Sequence, residues 1–234
     1  MTEGTLTVLT PPMHERGALA GAQTGSLGAD LAEIDHQVAR LFAMVTGGLA
    51  AATSAFLSGD RQVASELIAK DPLIDQLQSS TEELVERALT HPSLRSDELR
   101  RLIAVLRIVP ELERSGDLVE HIALRTPQGL AQEITPRARG LVEQMGTIGV
   151  QMWSAASDAY ADRNPDTAGR LRELDDQLDD LHVRLSTELA ESATSIPVAI
   201  EMGLIARFFE RLGDHAVNVT RRVRYLVPAS GDRS

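Results

Sequence analysis

The stretch FFERLGDHAVNVTRR, residues 208–222, reads as a helix, yet it carries Gly213 in its interior between Glu210 and Asp214. Ninety-seven residues upstream, ELERSGDLVEHIALR, residues 111–125, repeats the E-R-x-G-D core with Glu113, Gly116 and Asp117. A glycine inside a helix costs about 1 kcal/mol relative to alanine. Like charges four residues apart cost a few tenths more. The same penalty taken twice in one chain needs a common cause.

The repeat extends outward from these two cores. DPLIDQL, residues 71–77, matches DDQLDDL, residues 175–181, in the form D-x-x-[I/L]-D-x-L at an offset of 104. Leu67 pairs with Leu171, Phe56 with Tyr160, and Ala51 and Ala52 with Ala155 and Ala156 at that offset. The offset drops to 97 at the E-R-x-G-D cores, which assigns a seven-residue difference to the loop between the second and third helices of each half.

Helical periodicity supplies the elements. Leu31, Ile34, Val38, Leu41, Phe42 and Val45 recur at helical spacing, so a first helix runs from about Leu27 to a stop at Ser58 and Gly59. A second follows Asp60 as N-cap and reaches about Thr90, HPSLRSD makes a loop, and a third covers Asp97 to about Arg125. Pro127 and Gly129 break the chain. Pro136, Pro165 and Pro197 then open three more helices near 136–162, 165–192 and 197–227, at positions where proline costs least. Nothing reads as a strand. The expected fold is all-α, a tandem repeat of two three-helix bundles over 27–128 and 129–228. A disordered tail at 1–26 and a short tail at 229–234 flank it.

Composition agrees and narrows the function. Of 234 residues, 43% are hydrophobic but only 3% are aromatic, so the core is built from Leu, Ala, Val and Ile. There is no cysteine, which excludes disulfides, thiolate ligands and Cys nucleophiles and fits a reducing compartment. A net charge of −11 repels a phosphate backbone, so no nucleic-acid partner is expected. The nearest basic patch, Arg221, Arg222 and Arg224, reads as a helix end that favours cations. No apolar run approaches the roughly 20 residues that span a bilayer, and no signal peptide or lipid anchor is apparent. A cytoplasmic location is expected, with membrane association only indirect.

Side chains at i and i+4 share a helix face. Asp71 with Asp75, Glu113 with Asp117, Asp175 with Asp179, and Glu210 with Asp214 therefore form four acid pairs. Packing a D-x-x-x-D helix against an E-x-x-x-D helix would bring four carboxylates together in each half, and a bound cation is the ordinary way to hold them. Oxygen ligands without thiolates suit Mg, Mn or ferric iron, with Zn possible. His121 and Asn218, one turn further along, could complete each shell. Gly116 and Gly213 would permit the close approach of a neighbour or ion, while Arg114 and Arg211 point elsewhere. The plainer reading of any single pair is a solvated face. His215 reads as a surface or partly packed residue, His14, His36, His91 and His182 show no ligand partners at helical spacing, and Phe208 and Phe209 read as core.

At LERSGDLVEHIA, at ARFFERLGDHAVNVTRRVRYLV and at the two D-x-x-x-D segments, the sequence resembles the PhoU family over roughly residues 27–228. The resemblance implies a non-enzymatic cytoplasmic adaptor that negatively regulates phosphate uptake and phosphate-starvation signalling. Its implied partners are the ATPase of a phosphate ABC transporter, a membrane sensor histidine kinase and a second copy of the chain in a homodimer. It also implies metal binding, carried here by Asp71, Asp75, Glu113, Asp117, Asp175, Asp179, Glu210 and Asp214. Three features depart from the family pattern. His121 stands where Asn is usual, and Pro72 and Pro110 are expected to kink their helices, freeing the carbonyls of Ile68 and Leu106. Two other readings are a carboxylate-site metalloenzyme, either a di-iron-type oxidase or a hydrolase, and a metal-free helical scaffold. Against an enzyme, the acid motifs contain no Glu-x-x-His pair, and the chain has no H-E-x-x-H or Gly-rich phosphate loop.

Overall fold

The computed structural model describes residues 26–164 and 168–226. Most of the expected N-terminal tail, the expected tail at 229–234 and Pro165 lie outside the described residues. The elements are α1 (Leu27–Ser58), α2 (Arg61–Ile68), α3 (Asp71–Leu89), α4 (Ser96–Ala123), α5 (Leu130–Glu133), α6 (Pro136–Asp162), α7 (Ala168–Glu191) and α8 (Ile196–Val223). Single 3-10 turns at Thr126–Gln128 and Arg224–Leu226 complete them, and there is no strand among the described residues.

Local chemistry sets the helix starts. The Ser26 hydroxyl accepts from the Ala29 amide, the Asp60 carboxylate from the amides of Gln62 and Val63, and the Thr135 hydroxyl from Ala138. Each satisfies a donor that the first turn leaves without a helical partner. Pro136 and Pro197 sit in the first turns of α6 and α8, as expected.

α1, α3 and α4 pack as one three-helix bundle, and α6, α7 and α8 as a second. The bundles are fused, because α1 also lies on α6 and α4 on α8. The four inner helices therefore share one continuous core, with α3 and α7 on its flanks. On α1, Ile34, Val38, Leu41, Phe42, Val45 and Leu49 are buried. The Phe42 ring lies 6.2 Å from Trp153 and 5.6 Å from Tyr160, so much of the chain's scarce aromatic surface sits at the α1–α6 crossing.

Three expectations need correction. The second helix is two helices, α2 and α3, separated at Ala69 and Lys70. Pro72 opens α3 rather than kinking a longer rod, because proline in the first turn has no helical hydrogen bond to lose. The seven-residue difference between the halves is not confined to a loop. The connecting segments are 90–95 and 192–195, only two residues apart in length, and the remaining five lengthen the end of α3 and the start of α4. Finally, α1 is long and apolar enough to cross a membrane by length and composition. Its apolar side is taken up by α3, α4 and α6.

Because Trp153 is fully enclosed at the crossing that joins the halves, Trp153→Ala should lower the unfolding free energy by about 3–5 kcal/mol. Chemical denaturation followed by circular dichroism should still show one transition, since the two bundles share their core.

Candidate functional site

At the two glycines of the E-R-x-G-D cores, side chains of the outer helices press directly on the inner ones. A Cβ on Gly116 would stand 2.6 Å from Ile74 Cδ1, and one on Gly213 would stand 2.7 Å from Leu178 Cδ2 and 3.2 Å from Asp175 Oδ1. Each glycine receives the apolar residue that lies between the two aspartates of the facing helix. The close approach is made by a side chain, and it draws the flanking carboxylates of α3 and α7 toward those of α4 and α8.

In the first half, Asp71, Glu113 and Asp117 are half-buried, and Asp75 and His121 are exposed. Burial raises the Asp71 carboxyl above its usual range, and the charges of Glu120, Asp117 and Asp75 raise it further against a lowering by His121. Glu113 is raised by burial and then by Asp117, Asp75 and Asp71, with Arg114 opposing. These four acids share one electrostatic neighbourhood. Glu120 belongs to it as well and borders, with Asp71, a pocket of about 250 Å³ against α1. His121 is drawn aside, its ring 5.4 Å from that of Phe208.

In the second half, Asp175 is pushed up to about 6, by burial first and then by Asp179, Asp214 and Asp176, with Arg221 opposing. Asp179 is raised by burial and by Glu210, Asp214 and Asp176, against His182. Glu210 already has cationic company. It pairs with Arg207, and the His182 Nδ1 stands 3.7 Å from its Oε2. Asn218 is turned toward Arg221, whose NH1 donates to its Oδ1 at 3.5 Å.

The structure thus gathers the carboxylates of each half into a group but does not close a cage. Among the described residues, no three His, Asp or Glu side chains stand in a ligating arrangement. The donor chemistry, clustered carboxylate oxygens of which those of Asp71, Glu113, Asp175 and Asp179 have raised proton affinity, nonetheless fits a hard cation. Glu120 is a group member the sequence reading left out, and His182 is one it wrongly set aside as having no ligand partner at helical spacing. Both had a signal, His182 lying seven residues beyond Asp175 and Glu120 seven beyond Glu113 on the same stripes.

His215 is buried rather than superficial. Its Nδ1 lies 3.0 Å from the Ser115 hydroxyl, at the contact of α4 with α8, and burial lowers its proton affinity. Ser115 also donates to the Glu111 carbonyl at 2.7 Å. The buried Glu111 carboxylate accepts from Arg222 at 3.3 Å and lies 3.4 Å from Arg114.

Tandem three-helix bundles, each with an acid ladder laid across its outer and inner helices, define a class of all-α repeat proteins. The chain belongs to the PhoU family: the family model described as PhoU domain matches residues 38–126 and again 142–223. Among curated relatives, the phosphate-specific transport system accessory protein PhoU homolog 1 of Mycobacterium tuberculosis is 30% identical over 202 residues, 84% of this chain and 90% of that protein. Homolog 2 of the same organism is 29% identical over 196 residues, covering 82% and 92%. The crystal structure of PhoU from Pseudomonas aeruginosa superposes with a TM-score of 0.79 at 26% identity, over 86% of this chain and 98% of that one. The phosphate transport system regulatory protein PhoU from Streptococcus pneumoniae gives 0.77 at 27%, over 86% and 96%.

Two measurements check the site geometry. Asp175 titrates near 6 when folded and near 3.8 when unfolded, so the folded chain holds the extra proton between those values and loses stability as pH rises through them. In protein stripped of divalent ions, Asp175→Asn should therefore gain of order 1 kcal/mol at neutral pH, after allowing for solvent screening, and nothing below pH ~3.5. Gly213→Ala should destabilise by about 1–3 kcal/mol through overpacking, whereas Gly140→Ala, with open space around it, should gain up to about 1 kcal/mol in thermal melts.

Proposed function

We propose that the chain is an accessory regulator of a phosphate-specific transport system. It works in the cytoplasm as a non-enzymatic adaptor that lowers phosphate uptake and quiets phosphate-starvation signalling. Its contacts are the transporter's ATPase and a membrane sensor histidine kinase, and it acts as a homodimer. The observation that carries this reading is the family match in both halves, together with relatives named as accessory proteins of that transport system. A docking role is further supported by apolar side chains left exposed at equivalent places of the repeat. Leu99 and Ile103 on α4 stand where α8 has Ile196 and Ile200.

In this reading the two acid groups hold hard cations. Asp71, Asp75, Glu113 and Asp117 would serve one half, and Asp175, Asp179, Glu210 and Asp214 the other, with His121 and Asn218 at their ends. The bound charge would offset the burial, and the mutual repulsion that adds to it, which raise Asp71, Glu113, Asp175 and Asp179. It would thereby stiffen the outer helices against the inner ones.

The enzyme alternative finds little support in the two Ser–His contacts among the described residues. Ser115 is fully enclosed at the contact of α4 with α8, so no substrate reaches it, and Ser93 with His91 lies in the exposed segment between α3 and α4, away from both acid groups.

The adaptor reading is tested by deleting the protein and by capturing it from membranes. Deletion should leave phosphate-starvation genes on in phosphate-rich medium, and capture should bring down the transporter ATPase or a histidine kinase. Normal repression in the deletion strain would overturn it. For the cation sites, elemental analysis of untagged protein should show metal that Glu210→Ala with Asp214→Ala removes from the second half. Arg211→Ala should retain it, and full stoichiometry in both variants would dismiss the ligand assignment.

A further inference from the structure

One cluster of charged side chains remains outside the acid sites. A pocket of about 550 Å³ is lined by Arg107 of α4 and by Asn218, Arg221, Arg222, Arg224 and Tyr225 of α8 and its 3-10 extension. Four arginines line it in a chain whose net charge is −11. The helix dipole accounts for Arg221 and Arg222, which lie in the last turn of α8. It does not account for Arg107, which comes from the interior of another helix.

Internal neutralisation is incomplete. Arg222 donates to Glu111 at 3.3 Å, but Arg114 shares that carboxylate at 3.4 Å. Arg221 meets the neutral amide of Asn218 and feels Asp175 from a distance. Arg107 lies 5.8 Å from the centre of the Tyr225 ring, a contact that leaves its N–H groups available at the edge. Among the described residues, no carboxylate pairs with Arg107 or Arg224 within salt-bridge distance.

We propose that this pocket binds a chain of phosphate groups, an oligophosphate that is either free or the tail of a nucleotide. Guanidinium forks match phosphate oxygens bidentately, and several converging forks suit an anion with several phosphates. The volume lies in the range of small-molecule sites, larger than one phosphate needs. Tyr225, 55% exposed, offers a ring face on which a base could stack. The site uses none of the eight carboxylates and does not depend on the function proposed above.

The test is calorimetric titration of the full chain, freed of divalent ions, with tripolyphosphate and with ATP at low salt. Both should bind, more weakly as salt is raised. Arg107→Gln with Arg224→Gln should weaken both by about tenfold or more, the loss expected for charge-assisted hydrogen bonds. Arg184→Gln, which removes the same charge from the exposed face of α7, should change either by less than about twofold. ATP binding that exceeds tripolyphosphate binding and falls on Tyr225→Leu would identify the nucleotide; equal binding indifferent to Tyr225→Leu would identify the free chain. Should the double variant melt early, Arg224→Gln alone carries the comparison. Failure of the unaltered protein to bind either probe would overturn the proposal. So would undiminished binding by the arginine variants, or an equal loss in Arg184→Gln.

Discussion

Ile74 and Leu178 press their terminal methyl groups into neighbouring helices at Gly116 and Gly213, where those helices offer no side chain. Everything else about the acid groups follows from that contact. Each apolar residue sits between two aspartates, so seating it against glycine carries those aspartates to the Glu and Asp that flank the glycine on the other helix. Burying a leucine or isoleucine side chain is worth about 1.5–3 kcal/mol. That offsets the roughly 1 kcal/mol glycine penalty and the few tenths from each like-charge pair. The opening puzzle, a glycine between two acids in a helix, is a packing solution whose by-product is crowded negative charge.

A second constraint orders the molecule along its length. α4 and α8 run antiparallel, so Arg125 pairs with Glu201 at one end, Ser115 meets His215 in the middle, and Arg107 lies over Tyr225 at the other end. The acid groups sit where outer helices meet inner ones, whereas the arginine pocket lies at one end of the inner pair. Opposite charges are thus segregated within a distance at which Arg221 still influences Asp175. A cation in the second acid group and an anion in the pocket would each favour the other's binding through that proximity.

Much of this was legible in the sequence. The six long helices followed from the spacing of residues such as Leu31, Ile34 and Val38, and the acid pairs from the four-residue rule, because both depend on local periodicity. What escaped depends on position or on distant partners. Pro72 reads alike as a kink or as an opener, and only the break at Lys70 decides between them. The second half has Asp176 at the matching place, and α7 runs through it unbroken. His215 looked superficial beside the charged Asp214, because the hydroxyl it meets lies 100 residues away. Arg107 gave no local hint that it would join three arginines from the chain's far end.

The Ser115–His215 contact has a further implication for how the duplicated halves recognise one another. Under the repeat, Ser115 corresponds to Leu212 and His215 to Leu118, so the crossing is polar on one side of its pseudo-dyad and oily on the other. Two identical α8 helices placed in that geometry would set each buried imidazole against leucine, stranding a polar ring without a partner. Divergence at these two positions therefore discourages like-with-like pairing of the halves. It makes each bundle selective for its unlike sibling.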